Sequence, residues 1–132
     1  MEKFRVLIVD DEDDFVETIV KRLKGKGLEV EGAHSGKEAL RILDTRDFDV
    51  CVLDVKMPGM DGIEALAEMK KKRPLMEVIM LTGHGSLELG VRGLQLGAYH
   101  YIMKPVPFAD LLEKIVSAYE RKIIQEEIKP EK

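Results

Sequence analysis

The chain has 132 residues, of which 45% are hydrophobic and 35% are charged, a composition typical of one globular domain with its own core. Its 25 acidic and 21 basic residues give a net charge of -4 and are evenly spread, so we expect no direct nucleic-acid binding by this segment. No apolar stretch approaches the roughly 20 residues that span a bilayer, and we see no secretion or membrane signal. The single cysteine, Cys51, cannot form a disulfide within the chain, which indicates a reducing cytoplasm.

Five short apolar runs, rich in β-branched residues, alternate along the chain with amphipathic stretches. This alternation predicts an α/β fold, a doubly wound five-stranded parallel sheet with crossover helices on both faces. The predicted strands lie near residues 4–9, 28–33, 50–53, 77–81 and 99–102, and a helix follows each of them. Ser35, with Glu38 three residues later, has the capping-box pattern that begins the second helix.

The fourth predicted helix, residues 86–96, contains Gly90 and Gly93. Each glycine costs about 1 kcal/mol relative to alanine inside a helix, so this helix should be marginal. Two interpretations stay open. Either the glycines permit close packing, or a weakly formed helix beside the site is the element that moves.

The last predicted helix begins near Phe108 or Ala109 and carries apolar residues as far as Ile128, before Pro130. This is longer than one small sheet can cover. Its final turns either pack on a partner chain, lead into an output domain, or form a frayed and partly exposed tail.

Acidic side chains follow two of the predicted strands at the points where these end. Asp10 and Asp11 come directly after the first strand, and Asp54 follows the third, ahead of a loop with proline and glycine. Ligands of open parallel sheets bind outside the carboxyl ends of the strands, so these carboxylates converge if the two strands are neighbours. Such a set needs a cation, and oxygen ligands without a zinc-type His or Cys set favour Mg²⁺. A strand-end carboxylate beside a metal favours phosphoryl transfer.

Two further side chains end the remaining strands. Thr82 follows the fourth strand and offers a hydroxyl, and Lys104 follows the fifth and offers a fixed cation for phosphoryl oxygens. A threonine at a strand end is more commonly part of a turn, and a lysine before proline is usually a surface residue. Their places at the ends of the appropriate strands favour the functional interpretation.

As a set, these residues resemble the response-regulator receiver domain of two-component signalling over roughly residues 4–120. The resemblance rests on the acid pair at Asp10 and on three motifs: LDVKMPGMDG around Asp54, MLTGHG around Thr82, and GAYHYIMKP ending at Pro105. It implies the flavodoxin-like receiver fold with strand order 2-1-3-4-5. MLTGHGSLE and the long last helix are similar to receivers of the nitrogen-regulation class.

The resemblance implies that Asp54 accepts phosphate from a histidine kinase or phosphotransfer protein. It implies that Asp11, Asp54 and the backbone carbonyl of Lys56 bind Mg²⁺, while Asp10 assists through a water molecule. Lys56 lies two residues past Asp54, and His84 lies two residues past Thr82. Both would flank the route of an attacking water and tune the lifetime of the phosphoryl group. The alternative is that neither has a functional role, and that they are an exposed lysine and a loop imidazole.

The resemblance also implies that Thr82 and the ring of Tyr101 shift together on phosphorylation, while Lys104 contacts the phosphoryl group before a cis Pro105. The output face would be the fourth helix, fifth strand and fifth helix, through which the domain switches a partner, an output domain or a second copy in a homodimer. An aromatic residue commonly follows the proline in this family, and Phe108 is expected to fill that space here.

The expected organisation is a receiver domain at residues 1–120 and a helical extension or linker at residues 121–132. The resemblance implies a cytoplasmic phosphoprotein that assists its own phosphorylation and dephosphorylation but is not a turnover enzyme. Whether it is a single-domain regulator or one cut from a longer transcription factor is open.

Two other classes share part of the pattern. Haloacid dehalogenase phosphatases use a strand-end aspartate with Mg²⁺ but need a second acid two residues on, where this chain has Lys56. A flavodoxin-like cofactor carrier needs a phosphate-cradling loop after the first strand, where Asp10 and Asp11 would repel an anion. Both classes fit the sequence less well than a receiver.

Overall fold

The computed structural model describes residues 2–55, 61–83 and 87–128, and in them five strands alternate with five helices. The strands are β1 (Arg5–Val9), β2 (Glu29–Ala33), β3 (Val50–Asp54), β4 (Glu77–Thr82) and β5 (His100–Met103). The helices are α1 (Asp13–Gly25), α2 (Gly36–Thr45), α3 (Gly62–Lys72), α4 (Leu87–Gln95) and α5 (Phe108–Ile128). Among the described helices, none has the length and apolar character that crossing a membrane requires.

The five strands form one parallel sheet in the order β2-β1-β3-β4-β5. The predicted fold class and strand order are therefore confirmed. Each observed strand boundary lies within one residue of its predicted place, because the apolar runs of the central strands are buried from end to end. Such continuous runs are typical of parallel strands that helices cover on both faces.

Alternate side chains of each central strand pack into two separate cores, one on each face of the sheet. In β1, Leu7 and Val9 face the core beneath α2, α3 and α4, whereas Val6 and Ile8 face the core beneath α1 and α5. Successive side chains of a strand point to opposite faces, so one strand supplies both layers. The central strands are thus covered on both faces, and because all five strands are parallel, their carboxyl ends lie at one edge of the sheet.

The starts of two helices follow the sequence pattern. Ser35 caps α2, since its Oγ accepts a hydrogen bond of 3.1 Å from the backbone N–H of Glu38. The Glu38 carboxylate accepts a 2.7 Å hydrogen bond from the backbone N–H of His34, one residue before the cap. α5 begins at Phe108, whose ring packs against the core beneath α1 and α5 and lies 4.2 Å from the Arg22 guanidinium carbon.

Both glycines of α4 lie on its buried face. A Cβ atom at Gly90 would lie 2.9 Å from the Tyr101 ring and 3.2 Å from the Thr82 methyl group, and one at Gly93 would overlap the Met80 sulfur. The glycines therefore allow α4 to pack directly on β4 and β5, as the close-packing interpretation expects. The proposed mobility of α4 stays a prediction.

Candidate functional site

Three carboxylates meet at the carboxyl edge of the sheet. β1 and β3 are neighbours, with Val9 opposite Leu53, so the residues that follow them lie side by side. Asp10, Asp11 and Asp54 each offer an oxygen within 4.8 Å of those of the other two. Asp10 is fully buried and Asp54 is 5% exposed, whereas Asp11 is open to solvent. The convergence expected from the sequence is thus present in the structure.

The end of β3 is fixed by its neighbours on both sides. The backbone N–H of Val55 donates to the carbonyl of Leu81 in β4, and the N–H of Gly62 donates to the carbonyl of Val55, both at 2.9 Å. A Cβ atom at Gly62 would lie 2.6 Å from the Cα and carbonyl oxygen of Val55 and 2.8 Å from the carbonyl oxygen of Asp54. Gly62 therefore lets the first turn of α3 rest on the backbone that carries Asp54.

The Lys104 ammonium group compensates part of this negative charge. Its Nζ donates to Asp10 Oδ2 at 2.8 Å and to Glu12 Oε1 at 2.9 Å, and it lies 4.8 Å from the centroid of the Phe15 ring. Partial burial disfavours the charged form, but the hydrogen bonds to Asp10 and Glu12 and the attraction of Asp54 outweigh it and raise the pKa of Lys104 to about 12. The group is therefore a cation throughout the working pH range.

Glu12 is a member of this cluster that the sequence analysis missed. Its backbone N–H donates to Asp10 Oδ1 at 2.9 Å, and its backbone occupies the N-cap position of α1. Its side chain makes no capping hydrogen bond and reaches Lys104 instead. The hydrogen bond and charge of Lys104 lower the pKa of the Glu12 carboxyl. The available signal was a third acidic residue directly after the acid pair.

Thr82 and Lys104 lie where the sequence placed them, at the ends of β4 and β5. Thr82 is fully buried, and its hydroxyl donates to the carbonyl of Ile102 across a long 3.4 Å. The backbone N–H of Lys104 donates to the carbonyl of Thr82 at 2.8 Å, and the peptide bond between Lys104 and Pro105 is cis, as expected. Tyr101 lies farther back on β5, half-buried beneath α4. Lys56 and His84 lie outside the described residues.

The donor set suits a hard divalent cation. Within the part of the chain that the structure describes, Asp10, Asp11 and Asp54 form the one group of three acidic, His or Cys side chains close enough to hold a metal ion. All of its donors are oxygens, and the exposure of Asp11 leaves room for the water molecules that Mg²⁺ usually keeps. A nearly buried carboxylate beside such a cation and a fixed ammonium group is equipped to act as a nucleophile toward phosphorus.

Comparison with known proteins agrees with this geometry. The family model described as response regulator receiver domain matches residues 6–116 of the chain. The chain belongs to this family. Receiver domains are regulatory rather than catalytic domains; they interact with histidine kinases or phosphotransfer proteins and generally bind Mg²⁺ in an acidic pocket. The resemblance drawn from the motifs is confirmed.

Similar receivers are found within longer proteins and in solved structures that contain little besides the receiver domain. A putative NtrX-like response regulator of Rickettsia bellii is 42% identical over 102 residues, which are 76% of this chain and 21% of that protein. A receiver domain protein from Clostridium thermocellum is 39% identical with a TM-score of 0.87, over 92% of this chain and 98% of that one. NtrX from Brucella abortus is 31% identical with a TM-score of 0.91, over 96% of this chain and 29% of that one. This chain therefore spans about a fifth of the length of its curated NtrX-like relative.

Proposed function

We propose that this receiver domain takes a phosphoryl group from a histidine kinase or phosphotransfer protein onto Asp54. An oxygen of the Asp54 carboxylate attacks the phosphorus of the phosphohistidine, the P–N bond breaks, and the imidazole leaves with the bonding electron pair. The product is an acyl phosphate on Asp54. The observation that carries the proposal is the nearly buried Asp54 carboxylate, held beside two acids at the edge where Lys104 lies.

The same acids would hold the metal. Asp11, Asp54 and the backbone carbonyl of Lys56 would bind Mg²⁺, and Asp10 would assist through a water molecule. A bound Mg²⁺ ion supplies neutralisation for the charge on the transferred phosphoryl oxygens. The chain contributes the fixed positions of the Asp10, Asp11 and Asp54 carboxylates, which the pairing of β1 with β3 maintains.

Phosphorylation would then be transmitted by three side chains. Lys104 would turn its ammonium group toward the phosphoryl oxygens, and the Thr82 hydroxyl would exchange its long bond to Ile102 for one to the phosphoryl group. Thr82 would draw α4 and the Tyr101 ring with it, since the close approach at Gly90 brings α4 against both side chains. Lys56 and His84 would flank the attacking water and set the lifetime of the acyl phosphate.

The surface of α4, β5 and α5 is the proposed output face. Exposed apolar side chains lie on these elements or directly after α4: Leu87 54%, Val91 43% and Leu94 41% on α4, Leu96 40% after it, Met103 50% on β5, and Ile124 54% and Ile128 67% in the last turns of α5. Clusters of exposed apolar residues mark sites of protein interaction. This face would bind an output domain or a second copy of the chain. We propose no direct nucleic-acid binding by this segment. A histidine kinase partner would place the protein in the cytoplasm. α5 is one unbroken helix from Phe108 to Ile128, and we propose that residues 121–132 form a helical extension or linker of the receiver at 1–120.

Incubation with Mg²⁺ and acetyl phosphate tests the phosphoacceptor role. We expect one phosphoryl group per chain, stable in acid and released by hydroxylamine, because an acyl phosphate reacts with this nucleophile. Asp54→Asn should abolish the modification, since an amide oxygen cannot form the acyl phosphate, whereas Asp61→Asn removes a nearby exposed carboxylate and should leave it intact. Equal modification of Asp54→Asn and the parent protein would refute the proposal.

A Gly90→Ala, Gly93→Ala double variant tests whether α4 moves. Its two methyl groups would press on Tyr101 and Met80, while alanine raises helix propensity by about 1 kcal/mol per site. In the parent protein we expect the amide exchange of α4 to change on addition of beryllium fluoride and Mg²⁺, and in the variant we expect a smaller change. The Gly25→Ala variant, whose methyl group meets nothing within 4 Å, is the control. An undiminished response in the double variant would contradict the mobility of α4.

A further inference from the structure

The position of the Lys104 ammonium group in the structure depends on a residue with no role in the proposed metal site. Lys104 Nζ is shared between Asp10 Oδ2, at 2.8 Å, and Glu12 Oε1, at 2.9 Å. The Asp10 side chain is fully buried, whereas that of Glu12 is 65% exposed. The outer of the two bonds therefore holds Lys104 at the rim of the site, above the first turn of α1.

We propose that Glu12 is a positioning residue that competes with the phosphoryl group for Lys104 and so weakens phosphorylation of Asp54. The proposal rests on the function proposed above, since it concerns the same ammonium group.

The competition between Glu12 and the phosphoryl group arises from the limited number of N–H donors on the Lys104 ammonium group. An ammonium group has three N–H donors, and Asp10 and Glu12 occupy two of them. The Phe15 ring, 4.8 Å from Nζ, covers another side of the group. In the proposed function the ammonium group turns toward a phosphoryl group on Asp54, and so inward from the exposed Glu12 carboxylate. The bond to buried Asp10 lies on the inner side and is compatible with that movement, whereas the bond to Glu12 holds the group outward.

The carboxylate of Glu12 also opposes the incoming group directly. It adds a negative charge beside three others, in a site that must receive an anionic phosphoryl group. It is not needed to begin α1, because its side chain makes no capping hydrogen bond. Both effects have the same sign, so removal of the charge should favour phosphorylation.

The test compares Glu12→Gln with the parent protein at saturating Mg²⁺, with beryllium fluoride and acetyl phosphate as probes. Glutamine keeps the size of the side chain and removes its charge. We expect beryllium fluoride to bind roughly two- to fivefold more tightly and acetyl phosphate to react faster by a similar factor, the range that one exposed ion pair supports. Since the pair is exposed, the difference should shrink as salt is added.

Asp13→Asn is the matched control. It removes the same charge one residue further on, from an exposed carboxylate that pairs with His34 at 2.9 Å. It should leave both measurements close to those of the parent protein. Equal gains in the two variants would show a general effect of net charge and would overturn the proposal.

Unchanged or weaker binding in Glu12→Gln would also overturn it, since Glu12 would then support Lys104 rather than hold it back. These outcomes differ from a failure of the proposed function. In that case the parent protein itself would show no response to beryllium fluoride or acetyl phosphate, whatever residue stands at position 12.

Discussion

Replacement of Gly62 by alanine is expected to destabilise the fold by about 3 kcal/mol and to weaken the proposed phosphorylation of Asp54 at the same time. The added methyl group would lie 2.6 Å from the Cα and carbonyl oxygen of Val55, and backbone cannot turn aside as a flexible side chain does. Either α3 must move outward or the end of β3 must shift. Both movements disturb the hydrogen bond from Gly62 N–H to the Val55 carbonyl that anchors this edge.

Urea denaturation and beryllium fluoride binding, measured on the same preparations, test this expectation. Gly25→Ala is the control, because its methyl group would meet nothing within 4 Å and its φ is not positive. In the last turn of α1, alanine should raise the free energy of unfolding by about 0.5–1 kcal/mol through its higher helix propensity and the lower entropy of the unfolded chain. A Gly62→Ala variant as stable as Gly25→Ala would show that α3 does not rest on the strand end as described.

Gly62 also illustrates what the sequence could and could not predict. Its place at the start of α3 follows from local pattern, namely the acidic N-cap at Asp61, whose carboxylate accepts a 2.8 Å hydrogen bond from Glu64 N–H. Its contact with the backbone of Val55 joins two elements and has no local signature. The same is true of Gly90, where the sequence left close packing and mobility open and the structure supplied the contact with Tyr101.

The site was predictable to the extent that it consists of strand ends. Parallel strands present their carboxyl ends at one edge, so a polar residue that closes an apolar run has a known place; this located Asp10, Asp54, Thr82 and Lys104. The place of Glu12 in the site was not predicted, because an acidic residue at a helix start ordinarily interacts with the helix itself. Its actual partner, Lys104, lies 92 residues away in the sequence.

Replacement of Lys104 by methionine should lower the free energy of unfolding by about 3 kcal/mol in the absence of Mg²⁺. Methionine keeps most of the apolar stem but removes the cation that pairs with Asp10, whose side chain has no exposure to water. Asp10 would retain the hydrogen bond from Glu12 N–H, but its charge would face those of Asp11 and Asp54 uncompensated by the ammonium group. Beryllium fluoride binding should fall as well, because the variant lacks the cation that we propose contacts the phosphoryl oxygens.

The loss should depend on Mg²⁺, which distinguishes it from ordinary destabilisation. A cation that binds the three carboxylates only in the folded state stabilises the fold by an amount that grows with its affinity, and removal of a competing positive charge raises that affinity. Urea denaturation with and without Mg²⁺ should therefore show a larger Mg²⁺-dependent gain in Lys104→Met than in the parent protein. Lys71→Met, which removes a 73% exposed ammonium group on α3, should change stability by no more than about 0.5 kcal/mol and leave the gain unaltered. An equal gain in Lys104→Met and the parent protein would contradict this expectation, since the ammonium group and the metal would then not compensate the same charges.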